Sequence, residues 1–207
     1  MQEERWLLPA GVEEILPPRA RLIEGLRREL LDLYRCWGYD LVIPPFIDYL
    51  ESLLTGTGHD LDLLTFKLTD QESGRMLGVR ADMTPQVARM DAHHLLGDGP
   101  TRLCYLGTVL NTRSDGFAGT RSPLQIGAEI YGHSGTESDV EILRLVMLTL
   151  ELAGIDNAYL DLGHVGIFRG LARQAGLGDA QETALFGALQ RKALPEVEDL
   201  VRIYGVR

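Results

Sequence analysis

The chain has 207 residues, of which 45% are hydrophobic and 24% are charged, as in a globular protein with one sizeable core or two small ones. Acidic residues outnumber basic residues by 30 to 20, which gives a formal net charge of −10. A nucleic-acid-binding protein needs Lys and Arg to neutralise phosphates, so this charge argues against nucleic acid as a main partner. No apolar stretch is long enough to span a membrane, and the acidic start does not resemble a signal peptide. We therefore expect a cytoplasmic protein, with Cys36 and Cys104 as buried free thiols.

The first predicted element is a helix that follows Pro17-Pro18 and ends at Gly38. Its apolar residues recur every three or four positions and form one stripe, made of Leu22, Leu26, Leu30, Leu33 and Trp37. A short strand is expected over residues 39–43, because the two prolines at 44 and 45 end its hydrogen bonding.

Five further strands, two longer helices and several short helices are predicted beyond residue 64. Strands are expected at residues 65–69, 75–81, 103–110 and 122–131, with another at 157–162. A helix is expected from Thr84-Pro85 to about residue 96, and another after a sequence at 136–139 that resembles a capping box. Short helices are expected from residue 164 onward. Because the strands are grouped rather than alternating with helices, the pattern predicts an α+β fold, with helices on one side of an antiparallel sheet, in a single domain over residues 1–207.

Polar residues on the last long strand suggest a binding surface. Gln125, Gly127, Glu129 and Tyr131 share one face of the strand, whereas the apolar residues between them face the other way. The glycine between an amide and a carboxylate would allow a ligand to approach closely. A solvated face of a half-buried sheet explains the same pattern.

Asp82 and Thr84 lie where a strand is predicted to lead into a helix. Thr84 could simply cap the helix, and Asp82 is favourable near a helix N-terminus without any ligand. Together with Gln125 and Glu129, however, the two residues supply negative charge and an amide, which suits an ammonium and a neutral polar ring better than a phosphate. The five histidines lack metal-ligand spacing, and we expect no metal or other cofactor.

Three ordered segments resemble the histidyl branch of the class II aminoacyl-tRNA synthetases. They are LLPAGVEEILPP with its helix and GYDLVIPPF, which are similar to motif 1; VRADMTPQVAR, similar to the Arg-Pro-Glu-Gly-Thr segment; and YLGTVLNTRSDGFAGTRSPLQIGAEIYG, similar to motif 2. The similarity covers residues 7–163. It implies a class II synthetase core whose amino-acid contacts fall on Asp82, Thr84, Gln125 and Glu129.

One position departs from the synthetase pattern. Asn111 stands where the family has the arginine that binds the substrate carboxylate and the α-phosphate of ATP, and Arg113 stands where it has glutamate. Loss of such a cation typically costs a few kcal/mol of transition-state stabilisation. Later in the loop, Gly119 and Thr120 lie near a family arginine, although Arg121 remains. We therefore expect no aminoacylation activity and no catalytic residue.

In lacking the motif 2 arginine, the chain resembles the regulatory-subunit family of the short-form ATP phosphoribosyltransferases. These enzymes act at the first step of histidine biosynthesis. The resemblance implies a non-catalytic, truncated chain that forms a homodimer within a hetero-oligomer, binds the short catalytic subunit and takes L-histidine as a feedback effector. The dimer interface would involve the first helix and the motif 1-like strand. Two alternatives remain open: a divergent histidyl-tRNA synthetase or other amino-acid-activating enzyme, and a scaffold whose pocket is vestigial.

Overall fold

A computed structural model of the protein describes residues 6–56, 59–95, 97, 99–114 and 119–205. The chain forms two compact units, one up to Ala158 and one from Tyr159, and each is described by itself. The prediction of a single domain over residues 1–207 stays a prediction. Among the described helices, none is long and apolar enough to cross a membrane.

The first unit contains five helices and six strands within its described residues. They are α1 (Arg19–Cys36), β1 (Asp40–Leu41), β2 (Ile47–Tyr49), α2 (Leu50–Leu53), α3 (His59–Leu64), β3 (Phe66–Thr69), β4 (Met76–Val79), α4 (Thr84–His94), β5 (Thr101–Thr108), β6 (Leu124–Tyr131) and α5 (Thr136–Leu152). The second unit contains three short helices, as expected from the sequence: α6 (Val165–Gln174), α7 (Asp179–Gln190) and α8 (Leu194–Ile203).

The strands of the first unit form two three-stranded sheets. The smaller sheet has the order β2-β4-β3 and is antiparallel throughout. In the other sheet, of order β1-β5-β6, strands β5 and β6 are antiparallel over their full length, and Tyr105 lies opposite Gly127. Strand β1 runs parallel to β5, a pairing that was not expected. The α+β fold class is confirmed.

Helices pack against both faces of the β5–β6 pair, not against one face as predicted. On one face, Leu103 and Tyr105 pack with Met83 and Val87 at the start of α4. On the other face, Cys104 packs with Tyr34, Tyr39 and Leu145 from the side of α1 and α5. The sequence of β5 explains the arrangement, because successive residues at 103–105 are all apolar and each face needs a cover. Its Cys104 thiol is buried, whereas Cys36 is exposed, contrary to expectation.

Two local predictions are wrong. Residues 157–162 form no strand and have no pairing partner there; Tyr159 is fully exposed. Helix α5 begins after Gly135 without a side-chain cap, and the Ser138 hydroxyl instead contacts His133 Nδ1 at 2.7 Å. The polar stretch after β2, for which no element was predicted, contains the short helices α2 and α3. The predicted end of α4 at residue 96 lies outside the described residues.

Candidate functional site

The segment that joins β4 to α4 is held in place by Arg80. This residue is only 8% exposed. Its Nη1 donates to the Pro44 carbonyl at 2.7 Å, its Nε to Thr108 O at 3.0 Å, and its backbone N–H to Phe46 O at 3.1 Å. Gln86 Nε2 donates to the carbonyl between them, Pro45 O, at 2.9 Å. Because prolines have no N–H, Pro44 and Pro45 can form backbone hydrogen bonds only through their carbonyls. The successive carbonyls of Pro44, Pro45 and Phe46 all accept a hydrogen bond.

Asp82 and Gln125 are joined directly at the edge of this segment. Asp82 Oδ1 accepts from Gln125 Nε2 at 2.7 Å and from the Thr84 backbone N–H at 3.0 Å. Gln125 Oε1 accepts from the Met83 N–H at 3.0 Å, so both ends of the amide are oriented. Within the described part of the chain, no donor reaches Asp82 Oδ2. This oxygen remains free to accept from a ligand.

Tyr105 connects the other two predicted residues. Its hydroxyl donates to Glu129 Oε1 at 3.0 Å and lies 2.8 Å from Thr84 Oγ1. To reach them, the ring crosses Gly127, where a Cβ would overlap the phenol. The glycine is therefore required by a side chain of the protein, and the expectation that a ligand approaches Gly127 directly is wrong. The structure thus brings Asp82, Thr84, Gln125 and Glu129 together around Tyr105.

Sequence reasoning missed Tyr105, because the signal for it depends on the pairing register of β5 and β6. In an antiparallel pair, a large side chain directly opposite a glycine can lie over it, and the register of β5 and β6 places Tyr105 in that position. The interpretation of Thr84 as a helix cap is also wrong. Met83 is the N-cap residue of α4, without a side-chain bond, and the Thr84 hydroxyl is directed to Tyr105 instead.

The site is electrostatically negative. Burial raises the pKa of the Glu129 carboxyl above its usual value; the hydrogen bond from Tyr105 and the neighbouring Thr84 hydroxyl oppose this rise, and the nearby charge of Asp82 adds to it. Among the described residues, no Lys, Arg or His forms an ion pair with either carboxylate. Two close carboxylates without a cation favour a positively charged ligand.

A cavity of about 570 Å³ opens beside Thr84. It lies between α2 and α4 and is lined partly by Ser52, Thr84, Ala88, Arg89 and His93. The Arg89 guanidinium is held by Asp48 and donates to Ser52 Oγ at 2.8 Å. The volume falls within the range of small-molecule pockets. No group of three or more potential metal ligands is found in the described residues.

Asn111 lies where β5 leads into the long loop. Its N–H donates to Arg121 O at 2.7 Å, and Arg121 Nε donates back to Asn111 O at 3.1 Å. The Arg121 guanidinium also reaches Ala10 O at 3.4 Å and lies 5.0 Å above the Phe66 ring. Arg113 is exposed. Arg121, the basic residue that remained in the loop, therefore holds the segment around Ala10. Residues 115–118 of the loop lie outside the described residues.

These features define an α+β core of the class II aminoacyl-tRNA synthetase type, with an acceptor-rich cluster of side chains at its sheet. The family model for histidyl-tRNA synthetase matches residues 11–206, and the chain belongs to this family.

Two curated relatives are named ATP phosphoribosyltransferase regulatory subunit. The protein from Thioalkalivibrio sulfidiphilus (strain HL-EbGR7) is 67% identical over 93% of this chain and 49% of its own length. That from Alkalilimnicola ehrlichii (strain ATCC BAA-1101 / DSM 17681 / MLHE-1) is 62% identical over 97% of this chain and 50% of its own length. The chain thus spans about half the length of these relatives.

Solved structures agree on the fold. The crystal structure of an ATP phosphoribosyltransferase regulatory subunit/histidyl-tRNA synthetase from Bacillus halodurans C matches with a TM-score of 0.83 and 26% identity, over 95% of this chain and 51% of its own. A histidine–tRNA ligase subunit from Alicyclobacillus acidocaldarius matches with a TM-score of 0.76 over 97% of this chain and 58% of its own. At 21% identity, the second match supports the fold alone.

Proposed function

We propose that this chain is the histidine-sensing part of an ATP phosphoribosyltransferase regulatory subunit and has no aminoacylation activity. The proposal rests on the joined set of Asp82, Thr84, Gln125 and Glu129. It rests equally on Asn111, which stands in place of the catalytic cation, so that an amino-acid site is retained where the activating charge is missing. The names of the most similar relatives support it.

The ligand pocket suits an α-ammonium group by its count of acceptors. Asp82 Oδ2, Glu129 Oε2 and the lone pairs of Thr84 Oγ1 remain after the internal hydrogen bonds are assigned. An ammonium has three donors and no acceptor. Charge-assisted hydrogen bonds to carboxylates are the stronger kind, and they hold best in a half-buried site. The resemblance assigns the histidine side chain to the same polar set.

The absence of catalysis follows from the two loop positions. The side-chain amide of Asn111 is neutral. It therefore cannot supply the positive charge that stabilises the transition state of adenylation. Arg121 does not replace it, because its guanidinium is bonded to Asn111 O and Ala10 O. The retained pocket would then bind the amino acid without activating it.

Exposed apolar residues provide a surface for assembly. Large side chains at Leu41, Ile43, Phe46 and Ile47 are 51%, 82%, 45% and 48% exposed. Patches of this kind mark protein interfaces. We assign this segment and the exposed Leu22 of α1 to a homodimer within a hetero-oligomer with the short-form catalytic subunit, in the cytoplasm.

Feedback requires histidine to bind the inhibited assembly more tightly than the active one, by about 1–3 kcal/mol. The test is to co-purify this chain with the short catalytic subunit and to assay phosphoribosyl transfer with and without histidine. Co-purification and histidine-dependent inhibition are expected. Histidine-dependent ATP–pyrophosphate exchange above background would instead support the synthetase alternative. Calorimetry without histidine binding, alone and in the assembly, would support the scaffold.

A further inference from the structure

We infer that Tyr105 is a positioning residue that turns the Thr84 hydroxyl proton away from the ligand, so that Asp82, Thr84 and Glu129 all present acceptors and select a primary ammonium. The inference rests on the proposed function and extends it to a specificity-determining side chain that makes no contact with the ligand in this scheme.

The direction follows from counting protons. A tyrosine hydroxyl has one proton to donate, and the contact to the Glu129 carboxylate uses it, since an ionised carboxylate can only accept. The 2.8 Å contact between Tyr105 and Thr84 then requires the Thr84 hydroxyl to be the donor. With its only proton turned inward, Thr84 Oγ1 can offer a ligand nothing but lone pairs.

The same logic applies on the other side of the pocket. The Met83 N–H fixes the oxygen of the Gln125 amide, so the amide nitrogen must face Asp82 and donate to Oδ1. Asp82 Oδ2 is left as an acceptor. Asp82, Thr84 and Glu129 are therefore all acceptors toward the pocket, and the acceptor role of Thr84 depends on Tyr105.

Tyr105 can fix this direction because its ring cannot turn away. The residue is 3% exposed and packs with Met83, Val87 and Leu103 in the core. The ring lies against the backbone of Gly127, where no side chain could fit beside it. Burial also raises the pKa of its phenol, which keeps the hydroxyl protonated over the physiological range. The side chain is thus an ordered donor before any ligand arrives.

The test compares two ligands that differ in the amine alone. L-histidine carries the ammonium, whereas imidazolepropionate has the same ring and carboxylate without it. Both are titrated calorimetrically into the assembly with the short catalytic subunit. Tyr105→Phe removes the hydroxyl and frees the Thr84 proton to point into the pocket. We expect histidine affinity to fall about tenfold or more, the scale of one lost charge-assisted hydrogen bond, with imidazolepropionate affinity unchanged.

Tyr131→Phe is the matched control. Tyr131 shares a strand face with Glu129, but its hydroxyl is buried without a hydrogen-bond partner among the described residues. The ratio of the two affinities should stay as in the unmodified protein. If circular dichroism shows that Tyr105→Phe folds poorly, Thr84→Val is used instead. This variant removes the other hydroxyl of the Tyr105–Thr84 hydrogen bond with little change of shape. That variant should also lower the ratio, and Thr84→Ser should restore it.

An unchanged ratio in Tyr105→Phe overturns the inference, and so does an equal loss for both ligands, which would indicate a structural role only. In both cases the unmodified assembly still binds histidine, and the proposed function stands. If the unmodified assembly binds no histidine, the proposed function and the inference are both wrong.

Discussion

Glu129 carries a charge that the folded protein tolerates at a cost. Its pKa is raised chiefly by burial, so ionisation is less favourable in the folded chain than in the unfolded one. The sign follows: folding stability falls as the pH rises from the unfolded value of about 4.5 through the raised folded value, and the cost is complete above it. Stability given up in this way is common at binding sites.

The Glu129→Gln variant should therefore be more stable and less functional. An amide oxygen still accepts from Tyr105, but the charge is gone. We expect the free energy of unfolding at pH 7 to rise by roughly 0.5–1 kcal/mol and histidine binding to be lost. Urea denaturation and calorimetry measure the two effects. A less stable variant, or one that still binds histidine, would contradict this account of the site.

Gly127 is the second residue whose identity the site requires. Because a Cβ at this position would overlap the Tyr105 phenol, Gly127→Ala must displace the ring or the strand. Overpacking of this kind costs about 1–3 kcal/mol, and histidine binding should weaken with it. Gly25→Ala in α1 is the matched control. Nothing lies within 4 Å of a Cβ there, and alanine in a helix interior should stabilise by roughly 0.5–1 kcal/mol. Equal unfolding midpoints for the two variants would contradict the close approach of Tyr105.

Among the elements, the connection from β4 to α4 depends on one buried cation. Burial lowers the pKa of Arg80, and its guanidinium donates to the carbonyls of Pro44 and Thr108. Arg80→Met would leave both carbonyls without their donor. We expect a loss of about 2–4 kcal/mol in unfolding free energy and weaker histidine binding, since Asp82 and Thr84 follow directly. Arg113→Met, at an exposed position, should stay within about 0.5 kcal/mol of the unmodified protein. Similar urea midpoints for both variants would show that Arg80 does not hold the segment.

Helix α5 is fastened to the sheet by an ion pair. Arg102 on β5 contacts Glu141 through two bonds of 2.7 and 2.9 Å, and the Tyr39 hydroxyl donates to the same carboxylate at 3.0 Å. The hydrogen bond from Arg102 lowers the pKa of Glu141. Its contribution is therefore present above the unfolded pKa of about 4.5 and is lost as the pH falls through the lower folded value.

Glu141→Gln should accordingly destabilise the chain in a pH-dependent way. The pair is partly exposed, with Arg102 and Glu141 side chains at 35% and 21%, so solvent screening limits the loss at pH 7 to about 1 kcal/mol. The difference between the variant and the unmodified protein should shrink as the pH falls below about 4.5 and through the lowered pKa of Glu141 in the folded chain. Urea denaturation at several pH values measures it. A difference independent of pH would assign the effect to packing rather than charge.

Elements with a strong local pattern were predictable. The stripe of α1 and the long hairpin β5–β6 are periodic, and both are found. The parallel pairing of β1 with β5 was not predictable, since it joins residues about 60 positions apart by backbone bonds alone. The wrong strand at 157–162 shows the converse: a strand-like pattern forms no strand without a neighbour.

The four side chains of the candidate site could be predicted from the sequence as a group, but their hydrogen bonds could not; their role in binding stays a prediction. Asp82, Thr84, Gln125 and Glu129 could be chosen from residue type and face, and the resemblance favoured them. Tyr105 could not be chosen in this way. Strand β5 is apolar, so its residues are expected in the core until its register with β6 is known. Side-chain networks depend on tertiary neighbours that no local pattern specifies.

At the scale of the whole molecule, the site belongs to one of two compact units. Every residue in the network, together with the Arg80 contacts and the sheet that carries them, lies before Ala158. A unit with its own core can in principle fold alone. The single domain expected from the sequence and the two units seen in the structure therefore lead to opposite outcomes for a shortened chain.

A chain of residues 1–158 should fold and bind histidine with an affinity within about threefold of the full chain, because a factor of three is less than about 0.7 kcal/mol and no site residue is removed. Cooperative urea unfolding shows whether it folds, and calorimetry gives the affinity. The same chain carrying Glu129→Gln is the control, and it should fold without binding. If residues 1–158 remain unfolded while all 207 residues fold, the two units depend on each other and the chain behaves as a single domain.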